Sequence, residues 1–243
     1  MAISSLVRIL IIRIASLFYV SRRSKVIFYH DIHSDNKYTD MSTSIELFKR
    51  HIKIIRENGY EIVPEITQLK GQIEISFDDA FLGLYDNIEL IKELNIPIRL
   101  FVVSSYLDKD NHINSEQLIE LNKSQQITIS SHTHSHKILS KIDLRELEFE
   151  LKDSKKRLER ILDSKIDSIC FPEGKFNSST ILLSESAGYI RCYSSLPGFY
   201  YNEFIGVKKR SLVQFAEERE FKAILKGGDH FLFSWYKRKH YNK

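Results

Sequence analysis

The sequence predicts an α/β protein built on a parallel sheet. Strand-like apolar runs alternate with segments of helical periodicity along most of the chain, which is typical of parallel sheets. Residues able to carry chemistry also come just after strand-like runs, namely His30, Asp78, Asp79, His132 and Glu173. Because barrel and sheet enzymes place their sites at the ends of parallel strands, we expect these side chains to meet. Alternation alone is compatible with an open sheet and with a closed barrel.

The composition describes an ordinary globular chain. With 243 residues, 42% of them hydrophobic, it can bury one good core. A net charge of +4 against 28% charged residues is too small to argue for nucleic acid as a partner. The small positive charge remains compatible with anionic membranes or glycans as partners. Cys170 and Cys192 each lie in an apolar run, so we interpret them as buried small side chains in preference to a disulfide.

Residues 3–20 form an apolar segment that Arg8 and Arg13 interrupt. Each arginine would cost about 2.5–3.5 kcal/mol near the centre of a bilayer, and we find no cleavage site typical of a signal peptide. We therefore expect residues 1–24 to form an amphipathic helix on a membrane surface, with the main domain spanning residues 25–243. A helix packed on the base of that domain and a signal anchor are the alternatives.

This reading of the N-terminal helix also sets the expected location. We expect a peripheral protein at the cytoplasmic face of the membrane, with anchoring to the cell envelope by a signal sequence as the alternative.

The strand-like runs are short and rich in β-branched and aromatic residues, which suits burial. They cover residues 25–29, 60–64, 74–79, 98–103, 127–130, 168–171, 189–193 and 207–212.

Helices are predicted between these runs. Thr43 and Glu46 form a capping box for a helix that ends at Asn58 and Gly59, and Asp143 with Glu146 begins the longest helix. The other helices are expected at residues 82–94, 115–121 and 178–187. In the tail, Phe231, Phe233 and Trp235 fit an edge strand, a groove wall or an interfacial anchor, with simple packing as the default.

The segment at residues 127–136, ITISSHTHSH, is a candidate metal-binding segment. His132 and His136 are four residues apart and point the same way if the chain turns helical there. Surface or hydrogen-bonded histidines would produce the same pattern, so this segment alone does not establish a metal site.

A pair of adjacent carboxylates ends another strand-like run. Asp78 and Asp79 diverge at a strand end, so one can bind a cation while the other accepts a proton. The plainer alternative is a helix N-cap before Leu82. Taken with His132 and His136, one aspartate completes a three-ligand set that leaves a coordination position open, as in catalytic zinc sites.

Five motifs in order carry a family resemblance: YHDI at 29–32, FDD at 77–79, HTHSH at 132–136, FPEGKFN at 171–177 and AGY at 187–189. This set resembles the polysaccharide deacetylase family, the NodB-like carbohydrate esterases. The resemblance implies a distorted (β/α) barrel of about seven parallel strands. It also implies metal-dependent hydrolysis of an N-acetyl group on a sugar, in a polysaccharide or a lipid-linked glycan precursor.

The resemblance also implies roles for individual residues. Asp79, His132 and His136 would hold a divalent metal, with Zn²⁺ expected first and Co²⁺ or Ni²⁺ as alternatives. Asp78 would be the general base that takes a proton from the attacking water, and the backbone N–H of Glu173 would face the developing oxyanion. Substrate would contact a further set of residues: His30, Phe171, Pro172, Gly174 and Arg210.

Three positions depart from the family pattern. Cys170 stands where many members have an arginine that orients the catalytic aspartate, and we expect Arg210 on the last strand to replace it. Glu173 stands where an aromatic residue is common. The late Leu-x-His motif, whose histidine protonates the leaving amine, has no clean match, which leaves His230 as the candidate acid. These departures motivate a second hypothesis, an inactive glycan-binding scaffold for envelope polysaccharide assembly.

Overall fold

The parallel strands close into a barrel in the computed structural model, which describes residues 5–18 and 22–241. The strands are β1 (Lys25–Tyr29), β2 (Asp31–His33), β3 (Ser42–Ser44), β4 (Glu61–Ile62), β5 (Gln72–Asp78), β6 (Ile98–Val102), β7 (Ile127–Ser131), β8 (Ser168–Cys170), β9 (Arg191–Ser194) and β10 (Val207–Leu212). Strand β1 pairs with both β10 and β5, so seven of the described strands form a ring in the order β1-β5-β6-β7-β8-β9-β10, and β4 extends beyond β5. The predicted α/β barrel is confirmed.

Strand β5 shows how the barrel divides its side chains. Its apolar residues, Ile73, Ile75 and Phe77, join the core between the barrel and the surrounding helices. The alternating residues are polar and bond inside the barrel; Glu74, for example, accepts from Arg99 at 2.7 Å. Because side chains alternate along a strand, this polar row delivers Asp78 to the barrel's upper end.

The helices surround the barrel. They are α1 (Ser5–Ala15), α2 (Ile45–Glu57), α3 (Leu82–Asp86), α4 (Ile88–Leu94), α5 (Ser115–Lys123), α6 (Leu144–Leu162), α7 (Ser178–Ser186), α8 (Glu218–Leu225) and α9 (Phe233–His240). Short 3₁₀ helices lie at Leu139–Lys141, Pro172–Gly174 and Gly228–Leu232.

Several local predictions need correction. Ser44, not Thr43, caps α2, because Thr43 lies in β3 and donates to the carbonyl of Gln214. The helix expected at residues 82–94 is two helices that meet at Asn87. The small parallel pair of β2 and β3 was not predicted from the sequence. Asp143 does cap α6, accepting from two backbone N–H groups of the first turn.

Helix α1 packs on the domain through one face. Ile12 is fully buried, α1 contacts α8 and the Gly228–Leu232 turn, and Arg8 pairs with Glu220 at 2.7 Å. This is close to the alternative in which the helix packs on the domain itself. The proposed boundary at residue 24 and the membrane contact remain predictions. Among the described residues, no helix has the length and apolar character needed to cross a bilayer.

The tail is helical where an edge strand had been one option. Phe231 lies in the 3₁₀ turn and is exposed, whereas Phe233 and Trp235 lie in α9 and are partly buried. The edge-strand interpretation is therefore wrong, because the chain after Gly228 turns helical.

Candidate active site

Asp79, His132 and His136 converge at the carboxyl end of the barrel. Asp79 Oδ1 lies 3.7 Å from His132 Nε2 and 3.4 Å from His136 Nε2. Candidate ligand atoms from the three side chains all lie within 4.8 Å of one another. Asp79 Oδ1 is buried and has no hydrogen-bond partner among the described residues. A buried oxygen of this kind is costly unless a cation or another donor reaches it.

The histidines converge through a loop, not through the helical turn that the spacing suggested. Thr133 and His136 have φ values of 71° and 61°, in the left-handed region. Asp79 and Glu173, with φ values of 70° and 53°, share this conformation. Such conformations cost free energy in residues other than glycine and cluster at functional sites. The N-cap alternative for the aspartates is wrong, because the N-cap of α3 is Phe81.

Glu150 on α6 holds this loop in place. Its buried carboxylate accepts the backbone N–H groups of His134 and Ser135 at 3.0 and 2.8 Å, and the Ser135 hydroxyl also donates to it. His134 itself contacts Asp153 at 3.1 Å. His134 is therefore part of the support for the loop. Glu150 was not predicted from the sequence, because nothing local distinguishes it from the other glutamates of a charged helix.

The protonation states suit metal binding. His132 Nδ1 donates to the carbonyl of Cys170 at 2.8 Å, which leaves Nε2 without a proton and directed at Asp79. Burial lowers the pKa of His132 to about 3 and also lowers the pKa of His136, so both rings are neutral at pH 7. Burial, reinforced by Asp78 and opposed by His30, raises the pKa of Asp79 to about 6.

Asp78 is paired with Arg210, as the sequence analysis expected. Arg210 donates to both carboxylate oxygens at 2.7 Å, and its Nη2 also lies 2.7 Å from Cys170 Sγ. Burial opposes ionisation of Asp78, but the charge and hydrogen bonds of Arg210 prevail and lower its pKa to about 2. Asp78, His132 and Cys170 also form a candidate ligand cluster. The guanidinium already contacts two of its members, so a second cation is disfavoured there.

A cavity of about 400 Å³ opens beside these groups. Nine of the predicted site residues line it: His30, Asp78, Asp79, His132, His136, Phe171, Glu173, Gly174 and Arg210. Met41, Ser195, Leu212 and His240 also line it and were not assigned to the site from the sequence. They come from distant segments, and no local motif marks them.

His30 is held at the end of β1 by Gln214. His30 Nδ1 lies 2.5 Å from Gln214 Oε1, and because an amide oxygen only accepts, Nδ1 is the donor. His30 Nε2 is then the ring atom left for a ligand in the cavity. Gln214 was not predicted from the sequence either, because it lies far along the chain from His30 and no local motif marks it.

Two predicted site residues do not line the cavity, and a third points its carboxylate elsewhere. Pro172 is buried within its 3₁₀ turn. His230 packs between Phe199 and Phe233, with ring centroids 5.4 and 6.1 Å away, so it is poorly placed to protonate a substrate. The Glu173 carboxylate is half exposed and pairs with Lys175 at 2.5 Å, which reduces its repulsion of an anion in the cavity.

The donor set fits a divalent cation. Two imidazole nitrogens and one carboxylate oxygen suit zinc and related borderline metals, and three protein ligands leave a position open for substrate or water.

Comparison with known proteins agrees with this geometry. The family described as "Polysaccharide deacetylase" matches residues 66–191, just over half of the chain. The "Putative polysaccharide deacetylase YxkH" of Bacillus subtilis (strain 168) is 27% identical over 184 residues, covering 71% of this chain. The match spans 64% of that relative's length, just under two thirds of it.

Solved structures share the fold. The Streptococcus pyogenes deacetylase PplD, in complex with acetate, superposes with a TM-score of 0.71 at 17% identity, covering 83% of this chain and 96% of that one. A polysaccharide deacetylase from Bacillus cereus gives a TM-score of 0.72 at 21% identity, covering 85% and 69% of the two chains.

Proposed function

The chain belongs to the polysaccharide deacetylase family, and on this premise we propose that it hydrolyses the N-acetyl group of an N-acetylated sugar with the help of a divalent metal. The observation that carries the proposal is the convergence of Asp79, His132 and His136 beside the ionised Asp78, at the wall of one cavity. A structural metal site would need no ionised carboxylate beside it that is not itself a ligand.

The residues divide the chemistry between them. Asp79, His132 and His136 would hold a divalent cation, which when bound would supply positive charge to polarise the attacking water and the acetamide carbonyl. Asp78, which the low pKa keeps ionised, accepts a proton from the water. Arg210 fixes both oxygens of that carboxylate. The backbone N–H of Glu173 is proposed, from the family resemblance, to face the oxyanion.

The departing amine needs a proton, and His30 is the imidazole best placed to deliver it. His132 and His136 are committed to the metal, and His230 lies outside the cavity lining. His30 lines the cavity, and Gln214 fixes its ring. His240 also lines the cavity but lies beside Ser195 and Gly174, on the side of Glu173.

Zinc is the metal that we propose, with cobalt or nickel able to replace it, because the nitrogen and oxygen donor set suits all three. Metal analysis of the purified protein tests this directly.

We also propose that the protein contacts a membrane peripherally, at its cytoplasmic face. Helix α1 supports this, because Leu6, Leu10 and Ile14 on its outer side, and Phe18 in the turn that follows it, are at least half exposed. A signal anchor to the envelope is the alternative, and protease accessibility from each side of sealed membrane vesicles distinguishes the two.

Replacement of the general base tests the enzymatic proposal. We expect Asp78→Asn to lower acetate release from N-acetylglucosamine oligomers or lipid-linked N-acetyl sugars by about 10²–10⁴-fold, because a positioned base contributes that much. Metal content should be retained, since Asp78 is not among the proposed ligands. Asp40→Asn, at an exposed position, is the matched control.

Two results would contradict the proposal. Full turnover by Asp78→Asn would remove the general-base role. No acetate from the parent on either substrate class, with zinc, cobalt and nickel each supplied, would favour the glycan-binding scaffold.

A further inference from the structure

The cavity that contains the metal ligands also reaches the N-terminal helix. Arg8 and Ile12 of α1 line it, together with Ile224, Leu232 and Tyr236 from the C-terminal segment. Helix α1 is therefore part of the wall of the site, although it is separated in sequence from the motifs that form the catalytic centre.

A neighbouring side of α1, with the turn that follows the helix, is apolar as well. Phe18 and Leu6 are about 80% exposed, and the neighbouring 3₁₀ turn adds Phe231, which is 66% exposed. Between the helix and this turn runs a groove of about 320 Å³, and its lining residues are all apolar: Ile11, Ile14, Ala15, Phe18 and Phe231. We call this feature the α1 groove. Apolar surfaces of this kind on soluble domains mark places where apolar ligands or membranes bind.

Positive charge lies near the groove. Arg13 on α1 is exposed, and α9, which packs on the same 3₁₀ turn, carries the exposed cations Lys237, Arg238 and Lys239. An apolar surface accompanied by exposed cations is complementary to a lipid with an anionic headgroup. A soluble glycan would instead need hydrogen-bonding groups, which the lining of the α1 groove does not offer.

We infer that the N-acetyl sugar reaches this site on a membrane lipid, whose hydrocarbon chain lies in the α1 groove while its sugar enters the cavity. The inference rests on the proposed deacetylase function and narrows its substrate from glycans in general to lipid-linked saccharides. Because one helix borders both the cavity and the groove, a single lipid-linked molecule at the membrane surface can contact both. Binding energy from the hydrocarbon chain then becomes available to the reaction at the sugar.

A comparison of two substrates tests the inference. The probes are N-acetylglucosaminyl farnesyl diphosphate, in mixed phosphatidylcholine and phosphatidylglycerol vesicles, and a soluble N-acetylglucosamine oligomer. The full-length, metal-loaded protein is assayed for acetate release from each. We expect kcat/KM for the lipid-linked probe to exceed that for the oligomer by about tenfold or more, through contacts remote from the acetamide.

Variants of the α1 groove test whether the groove causes the preference for the lipid-linked probe. We expect Ile14→Ser with Phe231→Ser to lower the ratio of the two kcat/KM values by about tenfold, because both side chains are largely exposed and contact the proposed hydrocarbon chain. Leu144→Ser with Leu182→Ser is the matched control, since both leucines are more than 60% exposed and line a different surface pocket. The control should change the ratio by no more than about twofold.

Each contrary result has a distinct meaning. Equal or higher kcat/KM for the soluble oligomer, or an unchanged ratio in the groove variant, overturns the lipid-linked substrate and leaves the deacetylase standing. Acetate from neither probe overturns the deacetylase proposal and the inference with it.

Discussion

Asp79 carries two features that each cost folding free energy. Its φ of 70° lies in the left-handed region, and its Oδ1 is buried without a hydrogen-bond partner among the described residues. The raised pKa, about 6, reports the cost of ionising this carboxylate in a buried place beside Asp78. A bound cation removes that cost. Asp79 is thus suited to binding a metal, and its ionised carboxylate destabilises the metal-free protein.

We predict that Asp79→Asn stabilises the metal-free protein by about 1–3 kcal/mol at pH 7.5, because the neutral amide avoids a buried charge. The ordinary pKa is 3.8 and the folded value is about 6, so the folded parent binds more protons than the unfolded chain between these values. The parent therefore loses stability as pH rises through this window, and the advantage of the variant is complete above about pH 6. Urea denaturation with a chelator present measures both the stability difference and its dependence on pH.

The same substitution should abolish tight cobalt binding. In the parent, cobalt affinity should fall as pH drops below about 6, because the ligand carboxylate becomes protonated. A metal-free Asp79→Asn protein that is less stable than the parent at pH 7.5 would contradict this account of Asp79.

The proposed role of His30 as general acid can be tested by comparing substrates with different leaving groups. We predict that His30→Gln lowers hydrolysis of an N-acetyl sugar by about 10²-fold or more, because an amine must be protonated as it leaves. Hydrolysis of 4-nitrophenyl acetate should fall far less, since a phenolate departs without a proton. Parallel rate measurements on the two substrates check this. His240→Gln is the comparison variant, and equal losses on amide and ester would assign His30 to binding or structure.

At the scale of elements, the proposed metal site depends on how α6 holds the loop after β7. The loop bears both proposed histidine ligands and contains two residues at positive φ, Thr133 and His136. Glu150 compensates by accepting from two of its backbone N–H groups and one hydroxyl. Supporting residues of this kind fix ligand geometry and commonly influence metal affinity.

We predict that Glu150→Gln weakens zinc affinity by about 10–100-fold, because loss of the charge weakens the bonds that hold the loop. Competition with a chromophoric chelator measures the change. Glu148→Gln on the exposed side of the same helix, where Glu148 pairs with Lys152, should leave the affinity unaltered. Equal affinities for the two variants would mean that the loop holds its shape without Glu150.

At the scale of the whole molecule, α1 packs against the domain that it flanks. Ile12 is fully buried, and the Arg8 pair with Glu220 joins the helix to α8. The helix therefore has two apolar sides, one packed and one exposed. A domain boundary at residue 24 would instead make α1 a segment separate from the domain.

We predict that Ile12→Ala lowers the free energy of unfolding by about 2–4 kcal/mol, because it leaves a cavity between α1 and the C-terminal segment. Leu10→Ala, at a position that is 55% exposed, should change it by no more than about 0.5 kcal/mol. Chemical denaturation without lipids compares the two. Similar small effects would show that α1 folds separately and would support the boundary expected from the sequence.

The sequence by itself determined the α/β class, the order of the strands and the residues at their carboxyl ends. The short apolar runs and the strand-helix alternation are local patterns, and the ordered motifs place Asp78, Asp79, His132 and His136 at strand ends. The tertiary structure decided which distant residues complete the site. The pairing of Arg210 with Asp78 was already expected from the sequence, whereas Gln214 meets His30 and Glu150 holds the histidine loop only because the barrel closes and α6 packs on it. Such contacts depend on the positions of whole strands and helices, so no local spacing encodes them.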